Sequence, residues 1–176
     1  MAIEHEIKLL DIDVDGITAF FSSVGVSKES SLFFKRNIFK TVDDDKDAWI
    51  RLRTDGNKTT LSYKKSVSNA VDGMMEIEIT VSDYDSTREL LLATGLKSRS
   101  YQENKRDVYQ WMGCEISIDY WPRIPAYLEI EGSSVEMVEK CLKELEKFSK
   151  KTTSLSTEKV YRSYGIDLAS IPELKF

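Results

Sequence analysis

The first ten residues carry charged side chains at every second position. Glu4, Glu6 and Lys8 stand at alternate positions, with Ile3, Ile7 and Leu9 among the residues that alternate with them, so in an extended chain the three charges share one face. This pattern is typical of the solvent-facing side of an antiparallel sheet. The alternative interpretation is an acidic ligand set with a basic neighbour, facing something that requires both. These three residues alone leave both interpretations open.

The same spacing returns later in the chain. Two more E-x-E pairs and one R-x-R pair occur in strand-like segments, at Glu76 and Glu78, Glu129 and Glu131, and Arg51 and Arg53. Each segment carries one charge sign on one face and aliphatic residues on the other. A closed antiparallel β-barrel explains this pattern if its aliphatic face packs outward against helices and its charged face lines a polar lumen. Such a lumen suits a metal-bound oligophosphate, because Mg²⁺ prefers carboxylate oxygens and arginine forks match phosphate oxygens.

The elements that must position these charges alternate between strands and helices. Asp55-Gly56, between two alternating segments, predicts a hairpin. Apolar residues at helical spacing predict helices within 15–26, 85–96 and 133–151. Further strands are predicted within 31–42, 105–112 and 114–121. For 156–168 the sequence pattern indicates the secondary structure least clearly. The chain is therefore expected to be α+β.

The totals exclude several classes of protein. The 176 residues predict one compact domain, 1–176, and 41% hydrophobic with 31% charged residues is typical of a soluble globular protein. No apolar run could span a membrane and no signal peptide is visible, which predicts a cytoplasmic protein. His5 is the only histidine, which argues against Ser-His-Asp catalysis and histidine-based zinc sites. Cys114 and Cys141 are expected to be buried thiols. The net charge of -5 argues against a general nucleic-acid binder.

In their order, these motifs resemble the CYTH superfamily, the triphosphate tunnel metalloenzymes. The N-terminal E-x-E-x-K is similar to the family signature at the same place. WIRLR resembles the family's arginine strand and LSYKK its lysine strand, while MEIEI resembles its central E-x-E. ENKRDVY resembles its basic K-x-R element, and ISIDYW and AYLEIEG resemble its LD and EIE elements. The resemblance extends from about residue 3 to residue 164.

The resemblance implies a fold, a cofactor and a set of roles. The fold is an antiparallel barrel of about eight strands that forms a tunnel flanked by helices. The cofactor is Mg²⁺ or Mn²⁺, and the metal-facing carboxylates are Glu4, Glu6, Glu129 and Glu131. The cations that grip the triphosphate are Lys8, Arg51, Arg53, Lys64 and Arg106, of which Lys8, Lys64 and Arg106 are expected to act in catalysis. Asp119, Glu76 and Glu78 would orient these cations or assist a second metal.

The chain departs from the family pattern at two places. The family's paired basic residues are spaced by one, whereas Lys105 and Arg106 are adjacent, so alternation lets only one of them face the lumen; we favour Arg106. The family's C-terminal lysine is replaced by Arg162, with Lys159 as the alternative, and an arginine there would grip phosphate but serve poorly as a base. A simpler interpretation of Glu76 and Glu78 is that they form salt bridges with the arginine strand.

The resemblance leaves the reaction open. Water attacking the terminal phosphorus gives hydrolysis, whereas attack of the ribose 3′-OH on the α-phosphorus gives cyclic AMP and pyrophosphate. We favour a metal-dependent triphosphatase acting on tripolyphosphate, ATP or thiamine triphosphate, because hydrolysis requires less of the site. A class IV adenylyl cyclase is the second hypothesis. A non-catalytic nucleotide or polyphosphate sensor and a protein that binds the triphosphate end of RNA are further alternatives. A monomer and a homodimer are both compatible with the sequence.

Overall fold

A computed structural model describes residues 2–68, 70–71, 73–149 and 151–176, with only the backbone described for residues 2–4. The side chain of Glu4, one of the expected metal ligands, therefore lies outside the described part. The described residues form ten strands and four α-helices: β1 Ala2–Leu10, α1 Val14–Ser23, β2 Ser30–Lys40, β3 Ala48–Thr54, β4 Thr59–Ser66, β5 Met74–Val81, α2 Tyr84–Ala93, β6 Ser98–Trp111, β7 Cys114–Tyr120, β8 Tyr127–Gly132, α3 Val135–Leu145, β9 Lys151–Thr153, α4 Thr157–Ser163 and β10 Glu173–Leu174.

The strands form one curled sheet with the order β10-β6-β2-β3-β4-β5-β1-β8-β7. β7 also pairs with β6, so each of the eight strands β1 to β8 has an antiparallel neighbour on both sides. The short β9 pairs with β1, and β10 adds to β6 in parallel. The predicted α+β chain, an antiparallel sheet with flanking helices, is confirmed.

The main apolar core lies between the outer face of the sheet and two helices. Alternation in β1 directs Leu9 outward, where it packs with Ile17 and Phe21 of α1 and with Val138 and Leu145 of α3. All five side chains are fully buried. Burial of such a side chain stabilises the fold by roughly 1.5–3 kcal/mol, so this core fixes the sheet's apolar face outward and its charged face inward.

The outer face is not covered by helices everywhere. On β5, Ile77 and Ile79 are 48% and 54% exposed. The nearest helix in sequence, α2, buries none of its residues and contacts β3 instead. The expectation that the aliphatic faces pack outward against helices therefore holds for β1 but not for β5.

Local signals in the sequence explain the ends of several elements. The Asp55 carboxylate accepts hydrogen bonds from the backbone N–H groups of Asn57 (2.8 Å) and Lys58 (2.7 Å), and Gly56 has a φ of +94°. The predicted hairpin turn is therefore present between β3 and β4. Asp13 caps α1 by accepting from the Gly16 N–H at 3.0 Å. Among the described helices, none is both long and apolar enough to cross a membrane.

A second apolar cluster holds the C-terminal segment against the sheet. Val160 and Tyr161 of α4 pack with Leu10, Trp121 and Tyr127. The Tyr161 hydroxyl also donates to the backbone carbonyl of Pro122 at 2.7 Å. These contacts place α4, in the segment that sequence patterns define least, beside the inner face of the sheet.

Candidate functional site

The inner face of the sheet, opposite the main core, carries most of the buried polar groups. The buried charged and amide side chains that face inward come from six strands: Lys8, Arg36, Lys64, Gln102, Asn104, Asp119 and Glu129. Buried ions are costly unless they are paired or bind a ligand. The contacts around each ion therefore indicate what this face is built to hold.

Lys8 lies between two carboxylates on β1 and β8. Its Nζ is 2.8 Å from Glu6 Oε1 and 3.4 Å from Glu129 Oε2. Burial lowers the pKa of Lys8, but the charges of Glu129 and Glu6 more than offset it, so the pKa is raised and the ammonium stays protonated. Lys8 is thus held as a cation between these two carboxylates.

The arginine strand β3 is paired with the glutamates of β5. Arg51 Nη2 lies 3.1 Å from Glu76 Oε1 and 3.3 Å from Glu78 Oε2, and Arg53 Nη2 lies 3.8 Å from Glu78 Oε2. Lys64 Nζ, on the intervening strand, lies 3.6 Å from Glu76 Oε2. Glu76 and Glu78 therefore form the salt bridges with the arginine strand that the simpler interpretation of these residues predicts.

Arg106 is held in place by Asp119. Its Nε and Nη2 donate to the two Asp119 oxygens at 3.0 and 2.6 Å, and its Nη2 lies 3.5 Å from Glu129 Oε1. The same Asp119 carboxylate, which is fully buried, accepts from Asn104 Nδ2 at 2.9 Å. Lys105 points the other way, is exposed and lies over the ring of Phe176. Of the two adjacent basic residues, it is thus Arg106 that faces inward.

Three glutamates form a row across adjacent strands. Glu6 is paired with Glu131, and Glu131 is paired with Glu115, so their side chains share the inner face. Burial, together with the charges of Glu129, Glu6 and Glu115, raises the pKa of Glu131 to about 7. Like charges directly opposite one another repel, and a divalent cation bound to carboxylate oxygens would relieve that repulsion.

The donor chemistry of this row fits a hard divalent ion, but its geometry is not that of a preformed cage. Among the described side chains, no three acidic, histidine or cysteine residues converge closely enough to hold a metal ion. Glu129, an expected ligand, instead contacts Lys8 and Arg106. These two cations lower the pKa of Glu129 despite its burial, so it is ionised and already has cationic partners.

Two cavities open along the inner face. The wide cavity, about 560 Å³, is lined among others by Lys8, Arg36, Lys64, Trp121 and Arg162. The narrow cavity, about 360 Å³, is lined among others by Glu29, Asp55, Thr60 and Glu115. Arg53 and Arg106 line both cavities, so these two arginines lie where the cavities meet.

The two candidates for the C-terminal cation both lie at the wide cavity. Lys159 and Arg162 are on α4 and contribute to its lining. The Arg162 side chain is 66% exposed, and its Nη2 is 3.4 Å from Glu158 Oε1. Arg162 therefore lies at the rim and is not part of the buried cation set.

Analysis of the sequence alone misses several inward-facing residues, among them Arg36, Asn104 and Glu115. None belongs to a pair of like charges at alternate positions, the signal that marks pairs such as Arg51 and Arg53 or Glu129 and Glu131. Arg36 lies opposite Arg53, and Glu115 lies opposite Glu131. Knowledge of the strand register would have identified both, because directly opposite residues share a face.

Comparison with solved structures finds the same fold in proteins of low sequence identity. The PH1819 protein of Pyrococcus horikoshii OT3 matches 92% of this chain and 99% of its own, with 21% identity and a TM-score of 0.74. A proposed adenylate cyclase from Vibrio parahaemolyticus matches 92% and 98%, with 15% identity and a TM-score of 0.69. HpAC1 from Hippeastrum, a proposed adenylyl cyclase reported to have a dominant triphosphatase activity, matches 97% and 100%, with 17% identity and a TM-score of 0.63.

The sequence comparisons are more specific about the family. No curated protein matches the chain. The family model described as CYTH domain matches residues 2–164, which include every strand from β1 to β9 and all four helices. With its ordered charge motifs, its curled antiparallel sheet and this match over most of its length, the chain belongs to the CYTH family.

Proposed function

We propose that this protein is a metal-dependent triphosphatase whose substrate binds in a charged tunnel enclosed by the eight strands β1 to β8. The pairing of β7 with β6 supports an enclosed tunnel, because β6 and β7 are the first and the last of the eight strands β1 to β8 in the sheet order. The observation that carries the proposal is the set of inward-facing cations Lys8, Lys64, Arg51, Arg53 and Arg106, which line the wide cavity together. A linear oligophosphate has anionic oxygens along its whole length and suits such a set.

Unsatisfied donors on the inner face support an anionic ligand. Arg51 Nε and Thr60 Oγ1 are buried and have no hydrogen-bond partner within the described part of the chain. Buried donors without a partner are rare in folded proteins. Phosphoryl oxygens would satisfy both.

The carboxylate row would hold the divalent ion, Mg²⁺ or Mn²⁺. We assign Glu6 and Glu131 to the ion, with Glu4 added on the strength of the family resemblance. The ion would neutralise phosphate oxygens and stabilise the charge that grows on the leaving phosphate. For Glu129 we propose a different role from the metal-facing one that the resemblance implies: it orients Lys8 and Arg106.

The remaining residues bind and orient the substrate. Arg106, aligned by Asp119, and Lys8, aligned by Glu6 and Glu129, would donate to phosphoryl oxygens in the transition state. Arg51, Arg53 and Lys64, held by Glu76 and Glu78, would fix the rest of the chain of phosphates. Arg162 or Lys159 would bind at the rim of the wide cavity.

The wide cavity also favours a second candidate, a class IV adenylyl cyclase. Its lining includes Trp49, Ile38 and Leu168 in addition to the cations, which leaves an apolar surface beside the phosphate-binding groups. An organic group such as a nucleoside would fit against that surface. The two candidates share the same grip on the triphosphate and differ in the attacking group, water or the ribose 3′-OH, and in the phosphorus that it attacks, terminal or α.

Product analysis on the purified protein separates the candidates. Tripolyphosphate, ATP and thiamine triphosphate would each be incubated with Mg²⁺ or with Mn²⁺. Release of orthophosphate, mainly from tripolyphosphate, is the expected result. Cyclic AMP with pyrophosphate would establish the cyclase instead, and tight binding without turnover would indicate a sensor.

A further inference from the structure

Arg36 is a buried cation of the inner face that the family motifs do not include. It lies on β2, is 8% exposed, and contributes to the wide cavity. Its cross-strand neighbours are Arg53 on one side and Gln102 on the other. Its position is therefore at the centre of the cationic part of the inner face.

Arg36 has no direct ion-pair partner among the described residues. Within the described part of the chain, no carboxylate lies within 4.0 Å of its guanidinium, whereas Lys8, Arg51, Arg53, Lys64 and Arg106 all have one. Its Nη2 donates to Asn104 Oδ1 and its guanidinium lies 4.6 Å from the centre of the Trp121 ring. Its Nε is buried and has no hydrogen-bond partner.

The surroundings of Arg36 oppose its charge. Burial and the neighbouring charges of Arg51 and Arg53 lower the pKa of Arg36 well below its ordinary value. A contact with an aromatic face and one neutral amide is weak compensation for a buried cation among other cations. A purely structural role would be served as well by a neutral side chain, so an anionic ligand is the simpler explanation.

The position of Arg36 also matches a gap on the neighbouring strand. The basic K-x-R element expected on β6 has Asn104 two residues before Arg106, and Lys105 points outward. The guanidinium of Arg36 reaches Asn104 from β2. A cation from β2 thus stands beside the place on β6 where the second inward-facing basic residue is missing.

We propose that Arg36 is a phosphate-binding residue, whose unsatisfied Nε–H and guanidinium donate to the oxygens of one phosphoryl group of the substrate. This inference rests on the proposed function, since it assigns one more ligand to the same triphosphate. It makes Arg36, Arg53 and Arg106 a set of arginines from three strands that line the wide cavity.

The test of this inference is tripolyphosphate binding to three variants: Arg36→Gln, Arg36→Lys and Lys105→Gln. Calorimetric titration in EDTA measures the Kd without a contribution from metal, and thermal unfolding without anion measures the stability of each variant. Glutamine keeps an amide donor for Asn104 but removes the charge, while lysine keeps the charge but loses Nε–H and the planar fork. Lys105→Gln is the matched control, because it removes one positive charge from the outer face of the adjacent strand.

We expect Arg36→Gln to weaken tripolyphosphate binding by about tenfold to a hundredfold, the range for a lost hydrogen bond to a charged group. Arg36→Lys should lose less, and Lys105→Gln should bind like the wild type. Without anion, Arg36→Gln should unfold at the same temperature as the wild type or higher, because an opposed buried charge has been removed.

An unchanged Kd in Arg36→Gln would overturn the inference, whatever its stability. If Arg36→Gln does not fold, wild-type affinity in Arg36→Lys would overturn it, and a weakened Kd there would support it. If the wild-type protein fails to bind tripolyphosphate both in EDTA and with Mg²⁺, the proposed function fails; if the wild type binds and the Arg36 variants bind equally well, only the inference about Arg36 fails.

Discussion

At the scale of single residues, Asp119 links more inward-facing side chains by hydrogen bonds than any one charge motif indicates. Its carboxylate accepts hydrogen bonds from the Arg106 guanidinium and from the Asn104 amide, and Asn104 Oδ1 in turn accepts one from Arg36. Two inward-facing arginines are therefore oriented, directly or through one amide, by one carboxylate. In a buried network of this kind, loss of one member leaves the others unsatisfied.

Replacement of Asp119 by asparagine should misplace Arg106 and damage both activity and stability. We expect kcat/KM for tripolyphosphate to fall about a hundredfold, because small displacements of a positioning group have effects of that order. The free energy of unfolding should fall by about 3 kcal/mol, since a buried ion pair loses one partner. Steady-state kinetics and urea unfolding measure the two effects.

The control for Asp119→Asn is Asp107→Asn. Asp107 is on β6 next to Arg106, but it contacts Ser31 and the exposed Lys28 on the surface. This control should keep wild-type activity. Unchanged kcat/KM in Asp119→Asn would contradict the role assigned to the Asp119–Arg106 pair.

Glu131 should make the stability of the protein depend on pH when divalent metal is removed. Its pKa is about 7 in the folded protein and near the ordinary 4.5 when unfolded, so between these values the folded state binds more protons. The Glu131 contribution is therefore fully favourable below pH 4.5, is lost as the pH rises to about 7, and stays lost above it. The difference in unfolding free energy between wild type and Glu131→Gln, measured in EDTA across this range, isolates the effect.

The same measurement with Mg²⁺ tests the metal assignment. A divalent ion on the carboxylate row would favour the ionised form of Glu131, so the pH-dependent loss should shrink or disappear in the wild type. Glu131→Gln should show little response to Mg²⁺. A wild-type profile identical in Mg²⁺ and in EDTA would argue against metal binding at this row.

At the scale of elements, the helices differ in how firmly they are attached to the sheet. α1 and α3 bury apolar residues against β1 and its neighbours, whereas α2 buries none. α1 and α2 begin with an aspartate that accepts from a backbone N–H, at 3.0 Å from Gly16 and 2.7 Å from Ser86. The two caps are chemically alike, and the difference between the helices lies in their packing.

These two caps make a matched pair of substitutions. Asp13→Ala should lower the free energy of unfolding by about 1 kcal/mol, the usual cost of a lost N-cap, because α1 is part of the main core. Asp83→Ala should lower it less, because α2 contributes little burial and frays without disturbing the sheet. Urea unfolding measures both, and an equal or larger effect at Asp83 would show that α2 stabilises the fold more than its burial indicates.

At the scale of the whole molecule, the inner face concentrates positive charge inside a chain whose net charge is -5. Lys8, Arg36, Arg51, Arg53, Lys64 and Arg106 all line the wide cavity. A ligand that binds only the folded state raises the free energy of unfolding. At a ligand concentration of a hundred times the Kd, the increase is about 2.7 kcal/mol. The folded protein should therefore respond strongly to a polyanion.

Tripolyphosphate at a hundredfold excess over its Kd should raise the Tm by about 5 to 10 °C, given the usual relation between free energy and Tm for a chain of this size. Sulfate at the same ionic strength should raise it much less, because it spans only one or two of the cations. Differential scanning fluorimetry gives both values. Equal shifts for the two anions would indicate non-specific screening instead of a site matched to a linear oligophosphate.

The sequence by itself determined the class of fold, the ends of the β3–β4 hairpin and which charges share a face. Period-two alternation assigned Glu6 and Lys8 to one face of β1, and the Asp55-Gly56 turn fixed the pairing of Arg53 with Thr60. Both signals are local, so no distant contact was needed to interpret them. The order of the charge motifs was enough to indicate the family.

Only the tertiary structure decided which charges meet. Alternation predicts that a residue faces inward, but not which residue lies opposite it. The register between β1 and β8 is set by pairing over a long distance in sequence, and the loop between β2 and β3 is no two-residue turn that would fix theirs. That register places Glu129 against Lys8, gives Glu131 the unexpected neighbour Glu115, and brings the unpaired Arg36 beside Arg53. The chemistry of this protein depends on those pairings, since a buried charge is stabilised or opposed by whatever the neighbouring strand sets opposite it.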